Sequence, residues 1–180
     1  MSSERPTPTN QEIDWDKTKV IKSKTDEVGT ITYVNSVFIE VSEYTKEELI
    51  GQPHNILRHP DMPKVIFKTL WDHLKSGKNF NAIVKNLTKT GKYYWIVTNF
   101  DIFKDSSGKP SAFLGARSFV PEAVVNIINP LYSKLLEIEA NEGIDASEKH
   151  LNEFVADKGG DYVTYIKKLI SDQGVDVSSW

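Results

Sequence analysis

The sequence contains no cysteine. That absence removes disulfides, thiolate nucleophiles and cysteine-ligated zinc or iron–sulfur centres, and it fits a reducing compartment. No apolar run approaches the roughly 20 residues that a bilayer-spanning helix needs. Residues 1–9 are polar, with two prolines, and lack the apolar centre of a signal peptide. Neither sign of charge dominates, since 22 Lys and Arg stand against 25 Asp and Glu for a net charge of −3. Without a basic field, nucleic acid is not an expected partner, and neither is direct membrane insertion or adhesion. These absences describe a cytoplasmic protein. Its 180 residues suffice for one domain and an appendage.

What is present is unevenly spread. Three of the eight prolines fall between Pro53 and Pro63, in Pro-His-Asn-Ile-Leu-Arg-His-Pro-Asp-Met-Pro. Each ring fixes its own φ and disfavours helix just before it, so the stretch reads as rigid and irregular. It carries His54, Arg58, His59 and Asp61 into an amphipathic run over 64–76. Pro63 suits the opening of that helix, and Asp61 could cap it. A helix N-terminus flanked by Arg and His is a natural site for a phosphate. The same residues also allow other readings. They could form a plain charged loop, or His54, His59 and Asp61 could hold a metal, or one histidine could ligate haem.

Around this segment the periodicities predict an α+β domain. Val20–Lys24 and Thr30–Val34 read as a hairpin and Asn35–Val41 as a short helix. Thr45 and Glu48 form a capping box, ended by Gly51. Ile66, Phe67, Leu70, Trp71 and Leu74 recur at helical spacing. Phe80–Leu87, Lys92–Phe103 and Ser111–Phe119 then read as a three-strand meander. The expected fold is a five-stranded antiparallel sheet with helices on one face and a pocket between them. Residues 1–19 read as a flexible N-terminal segment, with nothing to bury over 1–12, and 20–120 as the domain. Residues 121–142 read as a linker helix and 143–180 as a small helical extension. Val124, Ile128, Leu131 and Leu135 form an apolar stripe that must lie on its own sheet, a second copy or a partner.

Tyr33-Val-Asn35, Phe38, Ser42-x-Tyr44 and Glu48-Leu-Ile-Gly51 resemble a PAS sensor domain. Gly51–Lys64, Leu70-Trp71, Val84-Lys-Asn86, Gly91, Tyr94-Trp95 and Asn129-Pro-Leu-Tyr132 are similar to the flavin-binding PAS domain of bacterial aerotaxis transducers. The shorter, stand-alone members of that family resemble this chain in lacking a membrane anchor and kinase-control domain. The resemblance implies a non-enzymatic redox sensor that binds FAD, with haem the lesser alternative. It implies FAD held by Arg58, His59 and Asp61, with Asn86 facing the flavin. Phe80 stands where the family commonly has Trp, while Trp71 and Trp95 match it and Asn35 falls in the matched Tyr33–Asn35 stretch. It also implies a membrane-bound chemotaxis transducer as partner in trans, which would keep the protein at the inner membrane face. A homodimer is compatible with this reading. The rival is a cofactor-free PAS adaptor that works by protein–protein contact.

Overall fold

A computed structural model describes residues 4–180; the part of the expected flexible segment at residues 1–3 lies outside the described residues. Five strands, β1 (Ile21–Asp26), β2 (Ile31–Val34), β3 (Ile83–Leu87), β4 (Tyr93–Lys104) and β5 (Pro110–Phe119), form one sheet. The sheet is antiparallel throughout, in the order β2-β1-β5-β4-β3. Between β2 and β3 lie α1 (Ser36–Ser42), α2 (Lys46–Leu49), a 3-10 turn (His54–Leu57) and α3 (Lys64–Lys75). After β5 come α4 (Glu122–Glu142), α5 (Ile144–Val155) and α6 (Tyr162–Ser171).

Local chemistry explains several of these boundaries. Asn35 caps α1, its Oδ1 accepting from Phe38 N at 2.9 Å and from Lys22 N at 3.1 Å. The capping box at α2 is formed as the sequence predicts. β3 starts at Ile83, three residues later than the periodicity suggests. Ahead of it, side chains replace the regular ladder: Asn79 Oδ1 accepts from Phe100 N and Asn81 Nδ2 donates to the Thr98 carbonyl, each at 2.9 Å.

β3 is an edge strand, and an uncovered edge invites pairing with another chain. Here its outward groups are occupied one by one. The Ile83 N–H donates to the Tyr162 hydroxyl at 3.0 Å, and the Ile83 carbonyl accepts from Tyr132 at 2.6 Å. The two tyrosine hydroxyls also bond to each other. Further along, Lys85 N–H meets the Met62 sulfur at 3.2 Å, and Arg58 bridges to Asn86 through the backbone. The proline segment and the C-terminal helices thus close the edge together.

The stripe on α4 is buried within the chain itself: Val124, Ile128 and Leu135 are fully enclosed and Leu131 nearly so. The covering is chiefly α5, with α3 beside it, rather than the sheet, a second copy or a partner. Residues expected to be unstructured at the N-terminus are in part tied down. Thr9 N donates to the Gly91 carbonyl at 2.9 Å, and Ile13 N to the Tyr93 carbonyl at 2.9 Å.

Asp61 does not cap α3. It turns outward to Lys85, Oδ2 to Nζ 2.7 Å. Pro63 occupies the N-cap position and has no side-chain acceptor to offer. The acceptor comes instead from α4, where the Glu139 carboxylate takes Lys64 N at 2.9 Å and Val65 N at 2.8 Å. The anion expected at this helix N-terminus is therefore one of the protein's own carboxylates. Replacing Glu139 with Ala strands two donors and loosens α4 from α3. Urea unfolding should show a loss of about 1–2 kcal/mol. An unchanged midpoint would mean that water serves this helix end equally well.

Candidate functional site

Between the sheet's inner face and the helices lies a cavity of about 300 Å³. Leu70, Trp71 and Leu74 of α3 form one wall, and Ile96, Phe100 and Phe113 of the sheet form the other. Trp71 meets Phe113 edge to face at 5.7 Å. Gly29 allows the hairpin to close against that indole, since a Cβ there would sit 3.0 Å from Trp71 Cζ2 and the backbone has φ +92°. Polar groups lie at two places: Ser23, Thr25, Asn86, Thr98 and Arg117 on the strands, and His54, Asn55 and Arg58 at the proline segment. Flat apolar walls with a few convergent polar groups suit a planar heteroaromatic ligand.

Arg117 is the unusual member. It is only 5% exposed, and among the described residues no carboxylate pairs with it. Nη1 donates to the Gly115 carbonyl at 3.1 Å and Nη2 to His54 Nε2 at 2.9 Å. Gly115 makes that fold-back possible, because a Cβ there would lie 2.8 Å from Nη2. Burial lowers the guanidinium pKa to about 10, so it still carries its proton at neutral pH. His54 answers by staying neutral, its pKa pushed down to about 3 by burial and then by the Arg117 charge. Its Nε2 also lies 3.2 Å from Ser23 Oγ. The cavity thus holds a full positive charge balanced only by neutral acceptors, an expensive arrangement in a low-dielectric site. Arg58 adds a second cation at the rim. Nη2 donates to the Met62 carbonyl at 3.0 Å, while the buried Nε has no acceptor.

Of the eight residues that the sequence reading put at a cofactor, Arg58, Asn86 and Trp71 line the cavity. The other five are placed elsewhere. His59 is buried within the proline segment, where Nδ1 accepts from Asp61 N at 3.0 Å and the buried Nε2 has no partner among the described residues. Burial, then the charge of Lys85, lowers its pKa and leaves the ring neutral. Asp61 faces outward, about half exposed, on Lys85. Phe80 is wedged between His73 of α3 and Tyr162 of α6, stacked on Tyr162 at 5.3 Å. Trp95 lies near Tyr132 and Lys85, and Asn35 serves the α1 cap. Among the described residues, no three His, Asp or Glu side chains gather as a metal site would need.

Arg117, Ser23 and Thr98 were not singled out from the sequence, and His54 entered only as part of the proline segment's anion site or as a metal or haem ligand. Strand alternation offered a signal. Phe113, Gly115 and Arg117 share one face of β5, and a Gly two residues before a buried Arg leaves room for the guanidinium.

The comparisons agree with this architecture. Residues 31–117 match the family model described as the PAS fold. The chain is 38% identical to the aerotaxis receptor of Escherichia coli K12 over 133 residues, 74% of this chain. It spans about a quarter of that receptor, 26% of its length. A light-oxygen-voltage domain studied with a flavin analogue superposes with TM-score 0.56 at 20% identity, covering 69% of this chain and 90% of that one. The dark-state domain of the blue-light photoreceptor Aureochrome1 gives 0.53 at 21%, covering 67% and 84%. Residues 31–117 thus carry the PAS fold that light-oxygen-voltage domains share, in a chain that is similar to part of the aerotaxis receptor.

The His54 arrangement predicts a pH dependence. Below about 6.5 the unfolded chain takes up a proton that folded His54 refuses until about pH 3. Stability should therefore fall as pH drops through that window, by up to ~1.4 kcal/mol per pH unit from this group. His54→Asn should flatten the slope measured by urea unfolding between pH 6.5 and 4.5. An unchanged slope would assign the acid sensitivity to the carboxylates alone.

Proposed function

We propose that this PAS domain binds a flavin, as FAD, and reports its redox state to a membrane-bound chemotaxis transducer without catalysing a reaction of its own. The observation that carries the reading is Arg117, a buried cation without a carboxylate, facing a cavity walled by Trp71 and Phe113. A ligand with an electron-rich polar edge supplies the missing acceptor, and the aromatic walls supply stacking area. Asn86, nearly fully buried on β3, offers both a donor and an acceptor to a heterocycle edge. Arg58 stands at the rim with an unsatisfied Nε for a phosphate. A bound flavin supplies reversible electron and proton uptake. With no cysteine in the chain, no thiol is available to form an adduct with the ring. As a haem ligand His54 is disfavoured, because its Nε2 is engaged by Arg117.

A change in hydrogen-bond demand inside the cavity has a short way out. Arg58 holds the Met62 carbonyl, Met62 leads into α3, and the α3 N-terminus is held by Glu139 of α4. The partner surface falls on the sheet's outer face, since the α4 stripe is already covered. Tyr33 and Phe103 are exposed there, with Lys24 Nζ 4.4 Å from the Phe103 ring centre. No helix among the described residues is long and apolar enough to cross a membrane, and this fits docking on a transducer in trans. We place the protein in the cytoplasm, at the inner membrane face through that contact.

Purified protein should be yellow, and heat should release FAD in about one equivalent. A colourless protein that takes up no FAD on reconstitution would favour the cofactor-free adaptor. Arg117→Met should abolish flavin retention yet leave the ligand-free fold at least as stable in urea, because an unpaired buried charge is replaced by an apolar chain. Normal flavin content in that variant would refute the role given to Arg117. For the docking surface, Tyr33→Asp with Phe103→Asp should abolish energy taxis while flavin stays bound. Normal taxis would move the contact elsewhere.

A further inference from the structure

Arg58 and Arg117 are the cations among the described residues that line the cavity, and no Asp, Glu, Lys or Tyr side chain joins them there. His54 is therefore the one lining side chain able to change its charge between about pH 5 and 8. Its Nε2 sits between two groups of different capability. Arg117 Nη2 is 2.9 Å away, and a guanidinium only donates, so Nε2 is bare and the ring proton sits on Nδ1. Ser23 Oγ is 3.2 Å away on β1, and a hydroxyl both donates and accepts. Nε2 thus has a donor beside it for its neutral form and an acceptor for its protonated form. The backbone need not move between them. The His54 N–H donates to the Gly29 carbonyl at 3.0 Å, and the Phe38 ring meets the imidazole edge to face at 5.9 Å.

The groups that face His54 are Arg117 from β5, Ser23 from β1, Phe38 from α1 and the Gly29 carbonyl from the turn between β1 and β2. Arg58, the other lining cation, is turned to the Met62 carbonyl. Burial, then the Arg117 charge, keeps the ring neutral in the ligand-free protein. A negative charge placed against Arg117 by a ligand removes the second cause and draws Nη2 away from Nε2. Protons reach His54 from the mouth, where its chain neighbours Pro53 and Asn55 are exposed.

We propose that His54 Nε2 takes up one proton when the ligand facing Arg117 is reduced, and holds it in a hydrogen bond to Ser23 Oγ. A reduced electron carrier supplies two electrons, solvent supplies one proton to the ligand and one to His54, and the charge of the cavity is unchanged. The proposal rests on the flavin reading and adds the site of the second proton. The test measures the midpoint potential of FAD-reconstituted full-length protein by spectroelectrochemistry, between about pH 5 and 6.5. Wild type should take up close to one more proton per two electrons than His54→Asn. That is a tenfold larger change in the reduction equilibrium per pH unit, or about 30 mV. Ser23→Ala keeps the histidine but removes its acceptor, so the pH at which this extra slope ends should move down. Equal slopes in wild type and His54→Asn overturn the assignment. If His54→Asn retains no FAD, Ser23→Ala decides, and a profile identical to wild type overturns it. Wild type that takes up no FAD fails the flavin reading itself, and the proton site with it.

Discussion

The arrangement of the inner site follows from one charge, the Arg117 guanidinium, held inside the fold without a counter-ion. Such a group is stable only if every neighbour accommodates it. Gly115 gives it room, the Gly115 carbonyl and His54 accept its protons, and His54 must stay neutral to do so. None of these neighbours neutralises it. The fold holds this unfavourable site ready, and a ligand that brings an acceptor edge recovers the cost on binding. A ligand-free core of the same shape would be more stable with an apolar residue here, and this is the reason the proposal assigns the arginine to ligand binding.

A second dependence connects the cavity to the rest of the chain. β3 forms one flank of the cavity and is also the exposed edge of the sheet, so whatever seals that edge is coupled to the cavity wall. The seal is shared between the proline segment, through Arg58 and Met62, and the C-terminal helices, through Tyr132 and Tyr162. Burial raises the pKa of both phenols, so their hydroxyls remain protonated at neutral pH. Glu139 then joins the two parts of the seal at the α3 N-terminus. The C-terminal helices are therefore part of the packing around the sensor cavity.

Much of the fold was legible because local signals agreed with one another. The capping box at Thr45 and Glu48, the Asn35 cap and the spacing from Ile66 to Leu74 each specify structure from short-range chemistry. Errors arose where a long-range partner replaced the local one. Asp61 looked like the cap for α3, but the neighbour that pairs with it, Lys85, lies 24 residues away, and the capping carboxylate lies 75 residues from Lys64. Phe80, read from the sequence as a cofactor contact, has Tyr162 stacked on it from α6, a partner 82 residues away that no local pattern reveals. The cavity's cation was missed for a related reason. Its meaning depends on what lies across the sheet, His54 and Ser23, and a single strand does not reveal that.

The central claim is that a ligand completes the environment of Arg117, and a crystal structure of the protein reconstituted with FAD tests it most directly. The account predicts the flavin ring between Trp71 and the sheet, with an acceptor atom of its edge within hydrogen-bond distance of the Arg117 guanidinium. A ring bound outside this cavity, or an Arg117 still facing only His54 and the Gly115 carbonyl, would contradict it.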